Sequence, residues 1–253
     1  MTIITDPLFY VVAVPAVVFL GLSKGGFSGI GMVSTPLVAI IMGPLEAAAL
    51  LLPIILIQDA MSVWVYRRVW DPWNLKVMIP GCVIGVGAAW LLAAYVSDGV
   101  IRLVVGLIAL GFVAYAAFRH YLPGEPPKPR ASHGVFWGAL SGFTTTLIQI
   151  GAPPYYAFVL PQRLPKMIYV GTTVMFFAAA NTMKIVPYFA LGQFSTAGLL
   201  TSFALFPLAI ACNFLGIYLV RVTPEAMFYQ ITNVIVLVLG LELTRQGVMD
   251  LIK

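Results

Sequence analysis

Eight apolar runs, near 8–42, 44–66, 74–96, 99–118, 133–160, 166–190, 197–220 and 224–246, take up most of this chain and leave only short polar connections between them. A helix that crosses a bilayer needs about 20 largely apolar residues, and most of these runs meet that length. With 61% hydrophobic and 9% charged residues, the chain cannot cover a core with polar surface, so lipid is its expected solvent. The implied fold is an all-α polytopic membrane protein. The start, Met1-Thr-Ile-Ile-Thr-Asp6-Pro7, has no basic region and no small-residue cleavage pattern behind it, so the first run is expected to stay in the mature protein.

The net charge of +5 is too small to indicate nucleic acid, and no basic stretch interleaves with aromatics. Cys82 and Cys212 both sit in apolar runs and read as small hydrophobes. No metal or organic cofactor is signalled. The expected partners are the lipid bilayer and a small anionic substrate, and a homo-oligomer is compatible with the sequence.

One linker stands out: Leu122-Pro-Gly-Glu-Pro-Pro-Lys-Pro-Arg130 is too rich in proline to be helical. It divides the chain into a first transmembrane repeat, 1–122, a linker, 123–130, and a second repeat, 131–253. Phe19, Gly21, Gly25 and Pro36 recur as Phe136, Gly138, Gly142 and Pro153, and Pro80, Asp98 and Leu110 as Pro207, Glu225 and Leu237. Matching segment order in two halves is how a duplicated transporter fold shows itself. Each repeat would hold a broken or re-entrant helix followed by three transmembrane helices.

The broken segments are Gly21-Leu-Ser-Lys-Gly-Gly-Phe-Ser-Gly-Ile-Gly31, and Ser141-Gly-Phe-Thr-Thr-Thr146 with Gln149-Ile-Gly-Ala-Pro-Pro154. Irregular backbone at membrane depth survives only where protein or a wet cavity satisfies it. If each segment crosses once, eight basic residues lie on one side and four on the other. If each enters and returns as a hairpin, Arg67, Arg68, Lys76, Arg119, Lys128, Arg130, Arg163, Lys166 and Arg221 share one side against Arg102, Arg245 and Lys253. The hairpin reading obeys the positive-inside rule better and makes the halves inverted copies, with basic loops cytoplasmic and both termini external. Trp64, Tyr66, Trp70 and Trp73 around Arg67 and Arg68 read as interfacial anchors.

Lys24, inside the first glycine-rich break, is the leading candidate for chemistry. An ammonium at the centre of a membrane helix costs about 2.5–3.5 kcal/mol on insertion scales, so one there needs a reason. A broken helix offers free N–H groups and a positive dipole end. Gly25, Gly26, Ser28, Gly29 and Gly31 would shape an anion cradle around Lys24. Thr144, Thr145, Thr146, Gln149 and Gly151 occupy the equivalent break and would complete the coordination, unless the threonines bond back within their own helix. Asp59, Asn181 and Lys184 are the expected coupling or gating residues, as an Asp59–Lys184 pair or as a protonatable Asp59. The two breaks are expected to meet near the midplane. Asn213, Asn233 and Glu242 read as helix–helix contacts.

Gly21-Leu-Ser23-Lys-Gly25 and Gly26-Phe-Ser28-Gly29 also match serine-hydrolase patterns, but the only histidines, His120 and His133, flank the linker. An intramembrane serine protease is therefore the weak alternative, and an anion channel the stronger one.

The sequence resembles the TauE/SafE family of sulfite exporter-like membrane permeases over nearly its whole length. The first glycine break carries the resemblance, together with Ala47-Ala-Ala-Leu-Leu-Leu-Pro53, Tyr66-Arg-Arg-Val-Trp-Asp71 and Ile79-Pro-Gly81. Gly151-Ala-Pro-Pro154, Pro161-Gln-Arg-Leu-Pro-Lys166 and Lys184-Ile-Val-Pro-Tyr-Phe-Ala-Leu-Gly-Gln-Phe-Ser195 continue it. The resemblance implies a secondary transporter, an exporter of sulfite or an organosulfonate, working by alternating access in a bacterial inner membrane. It also places Lys24 on the family's glycine-rich motif. Where relatives are expected to carry histidine before Gly-Gly-Pro-Pro, this chain has Gln149, which cannot titrate.

Overall fold

The computed structural model describes residues 4–27, 30–39, 41–42, 44–92, 95, 97–121, 129–190 and 192–252. Among them every regular element is helical. In chain order they are α1 (Pro7–Gly25), a 3-10 turn (Ile30–Val33), α2 (Ser34–Val38), α3 (Pro44–Tyr66), α4 (Pro72–Leu92), α5 (Asp98–Tyr121) and α6 (Ala131–Ile148). Then follow α7 (Ala152–Val159), a 3-10 turn (Leu160–Gln162), α8 (Lys166–Met183), α9 (Ile185–Ala190), α10 (Thr196–Val222) and α11 (Glu225–Ile252). Stretches of α1, α3, α4, α10 and α11 are long and apolar enough to cross a membrane. Their outward side chains are apolar too, with Val11, Leu91, Phe214 and Tyr218 all exposed, as a surface wetted by lipid requires. Most of the proline-rich linker, 122–128, lies outside the described residues.

The helices gather into two compact units, each drawing on both sides of that linker. One comprises 1–70 and 173–224, the other 71–172 and 225–253, so α8 passes from one to the other along its length.

In the first unit α1 lies on α10, with Gly21 against Cys212 and Gly25 against the backbone of Gly216. A side chain on either glycine would overlap α10, which is how small residues let two membrane helices approach. That register makes the two helices parallel. Helix α3 is parallel to α10 as well, since Ser202 Oγ donates to the Leu50 carbonyl (2.6 Å) and Gln58 Nε2 to the Ala209 carbonyl (3.1 Å). The chain must therefore return between α1 and α3. It does so as a hairpin, with Gly31 beside Ser23 and Ser34 Oγ donating to the Ala16 carbonyl at 2.8 Å. A core of Phe9, Ala13, Val17, Val38, Leu51 and Ala209 fills the space between these elements. The end of α8 and α9 run antiparallel to α3, Asn181 reaching Asp59 and Tyr188 packing on Ala48, Ala49 and Leu52.

In the second unit α4 and α6 are parallel, Gly138 resting on Met78 and Gly142 on Cys82. A second hairpin follows: Ser141 Oγ donates to the Gly151 carbonyl at 2.7 Å, and Gly134 stands beside Phe158. Helices α5 and α11 are antiparallel, with Gly106 against Thr244, Gly247 against Leu103 and Arg102 paired with Asp250 at 2.7 Å.

Both broken segments thus turn back on themselves, as the charge distribution favoured. The ends of each unit agree. In the first, Arg67, Arg68 and Arg221 follow or end the parallel helices α3 and α10, while Asp6 and Glu46 begin α1 and α3. In the second, Asn74 and Gln162 exchange amide hydrogen bonds at 2.9 Å, bringing the neighbourhoods of Lys76 and Arg163 together, whereas Arg102 and Arg245 lie near the opposite end. A single crossing by the second broken segment would have separated Arg221 from Arg67, and Arg163 from Lys76.

Candidate functional site

Lys24 occupies the last turn of α1, and the helix ends one residue later because Gly26, at φ 139°, has a backbone that L side chains rarely adopt. The Gly26 N–H caps the Leu22 and Ser23 carbonyls. Lys24 therefore sits at a helix C-terminus, where carbonyls converge and a cation is favoured. The positive dipole end expected on its own helix is not there, so the ammonium supplies the positive charge at that turn. The carbonyls are themselves capped from α3: Ser62 Oγ donates to Lys24 O at 2.9 Å, and the Tyr66 hydroxyl to Gly25 O at 2.9 Å.

The ammonium meets Asp59. Lys24 Nζ lies 2.7 Å from Asp59 Oδ1, with side chains 15% and 5% exposed, so Lys24 packs inward instead of reaching for the interface. The second carboxylate oxygen accepts from Asn181 Nδ2 at 2.7 Å. Asp59, expected to find Lys184, thus has Lys24 and Asn181 as partners. Lys184 is fully buried where α8 gives way to α9, and its carbonyl accepts from the Tyr188 N–H.

A polar seam continues from this pair. Asn213 Nδ2 donates to the Gln58 carbonyl (3.1 Å), Ser62 Oγ lies 3.2 Å from Asn213 Oδ1, and Gln58 Oε1 is buried with no hydrogen-bond partner among the described residues. Asn213 is thus a helix–helix contact, as its place in the sequence suggests. Gln58, Asp59, Ser62 and Tyr66 share one side of α3 at spacings of one, four and eight. That pattern was available in the sequence, yet only Asp59 attracts notice there, because the others carry no charge. Tyr66 departs from the anchor role: it is 1% exposed and clamps α1, whereas Trp64 is exposed with Arg67 stacked 4.0 Å over its ring.

Several other candidates have a packing duty. Gly25 gives α10 its approach, and Gly31 gives room to Ser23. Ser28 and Gly29 lie outside the described residues. In the second hairpin the Thr144 hydroxyl donates to Leu140 O (2.9 Å) and that of Thr146 to Gly142 O (2.8 Å), the back-bonding that lets a helix bend. Thr145 is buried beside Gly151. Gln149 ends α6 in the left-handed region, at φ 59°, a conformation costing a non-glycine residue about 1–2 kcal/mol. Gly151 then precedes the first turn of α7.

These features define a multi-pass membrane protein whose first broken helix carries a half-buried lysine paired with a buried aspartate. The family model "Sulfite exporter TauE/SafE" matches residues 13–243, and the chain belongs to that family. No curated protein and no solved structure matches the chain.

Proposed function

We propose that this protein is a secondary carrier that moves a small anion, sulfite or an organosulfonate, out of a bacterial cell across its inner membrane by alternating access. The observation that carries this reading is the Lys24 ammonium, half-buried at the elbow of a membrane hairpin against the buried carboxylate of Asp59. A charge kept inside a membrane protein marks a substrate or ion path more often than a structural tie. The family's name supplies the class of anion. In this reading Lys24 draws the anion in from its place beside Asp59.

The basic ends of both units face the cytoplasm under the positive-inside rule. The two sequence halves are duplicated copies. Supporting this, Gly21 and Gly25 seat α1 on α10 while their counterparts Gly138 and Gly142 seat α6 on α4.

The test is flux of sulfite and of methanesulfonate in proteoliposomes, comparing wild type with the double variant Lys24→Met/Asp59→Asn, which removes both charges together. Saturable wild-type flux, lost in a folded double variant, is expected. Equal flux in the two would remove the pair from the transport path, and flux that never saturates would favour a channel.

A further inference from the structure

Resting on that reading, we infer that each anion enters the Lys24 site with one proton, which Asp59 takes, so that anion and proton travel together. The argument is one of charge. In the structure Lys24 Nζ is 2.7 Å from Asp59 Oδ1, and Asn181 holds Oδ2. An anion that takes the ammonium from the carboxylate leaves Asp59 buried with one amide donor and, among the described residues, no cation. A buried charge that loses its partner is strongly unfavourable, because nothing compensates its desolvation. Uptake of a proton converts the carboxylate to a neutral acid, which can still accept from Asn181, and removes that cost. Empty, the site holds one positive and one negative charge. Loaded with a monoanion and a proton, it again sums to zero.

The neighbours leave Asp59 this role. On α1 the cation facing it is Lys24. On α8 the facing group is the neutral amide of Asn181, with Lys184 three residues further along. On α10, Asn213 bonds to Gln58 and Ser62, Cys212 packs against Gly21, and Arg221 closes the far end. On α3 itself the Tyr66 hydroxyl is given to Gly25. Thermodynamic reciprocity fixes the sign: if the anion promotes protonation, protonation promotes anion binding by the same factor. Binding that required loss of the proton would give exchange; this geometry gives co-transport. Outward flux then continues only while the anion ratio, inside over outside, exceeds the proton ratio, outside over inside.

The experiment uses wild-type protein in liposomes containing a pH dye, with methanesulfonate as the probe because it carries no titrating proton of its own. Methanesulfonate entry is expected to acidify the lumen by one proton per anion, at a rate unchanged when the membrane potential is clamped at different values. Where proton binding is limiting, apparent affinity should strengthen about tenfold per pH unit of acidification. Asp59→Asn should lose uptake driven by a pH gradient, and any labelled-anion exchange it retains should be independent of pH. Methanesulfonate flux without lumen acidification, or flux that follows the potential, overturns the inference and leaves the carrier standing. Where sulfite moves and methanesulfonate does not, sulfite flux that follows the membrane potential likewise overturns the inference. No flux of either probe by folded wild type sinks the carrier reading itself, and the inference with it.

Discussion

A lysine and an aspartate 35 positions apart, on α1 and α3, satisfy each other inside the first unit, and that mutual dependence can be measured. Lys24→Met alone leaves Asp59 charged and buried; Asp59→Asn alone leaves the ammonium without its carboxylate. Each single change is expected to cost about 3–5 kcal/mol, whereas the double variant should recover most of that loss. Denaturant unfolding in detergent micelles checks this, and additive losses would mean that the two side chains do not depend on each other. At this scale the sequence was half legible. Lys24 and Asp59 announce themselves as charges in apolar runs. Their pairing did not, because the hairpin that sets the end of α1 against the middle of α3 brings together levels that a simple up-and-down trace would separate. The dipole argument failed at Lys24 for a related reason, since a glycine-rich break does not declare on which side of it the helix ends.

Among the elements, α1 and α10 meet without side chains between them at Gly25 and Gly216. Gly25→Ala is therefore expected to push the helices apart, costing about 1–3 kcal/mol by overpacking and lowering the melting temperature. Gly87, in the interior of α4, has open space where a methyl group would go. Gly87→Ala should stabilise the protein by the helix-interior difference of about 0.5–1 kcal/mol and so raise the melting temperature. Similar effects at the two positions would mean that α1 and α10 are not in close contact. Element boundaries were well marked in the sequence, with Pro44, Pro72 and Asp6 starting helices where capping rules place them. Which glycines serve packing was not marked: Gly25 and Gly87 look alike in a string, and only the neighbouring helix distinguishes them.

For the molecule as a whole, the hairpins make a topological claim. With Cys82 and Cys212 replaced by alanine, a single cysteine at Arg67 and one at Arg221 should react with a membrane-impermeant maleimide from the same side, and one at Glu46 from the other. Likewise Lys76 and Arg163 should share a side opposite to Arg102. Opposite labelling of Arg67 and Arg221 would restore a single crossing for the second broken segment, which lies between them. The all-helical membrane class and the order of the apolar runs were open to the sequence, and the charge rule leaned toward the hairpins by a narrow margin. The grouping into units was not legible, because the contacts that define it join residues nearly two hundred positions apart, such as Gly21 and Cys212.

That last separation has a consequence for biogenesis. As the chain leaves the ribosome, Gly21 precedes Cys212 by 191 residues, which at about 5–20 residues per second is roughly ten to forty seconds of synthesis. During that interval the Lys24 end of α1 waits in the translocon or lipid without the helix that covers it. A nascent chain in that position calls for a holding partner, either an insertase or the early helices themselves. Neither half made alone would complete either unit. Two fragments divided at the proline-rich segment and produced together would have to find each other before either could mature.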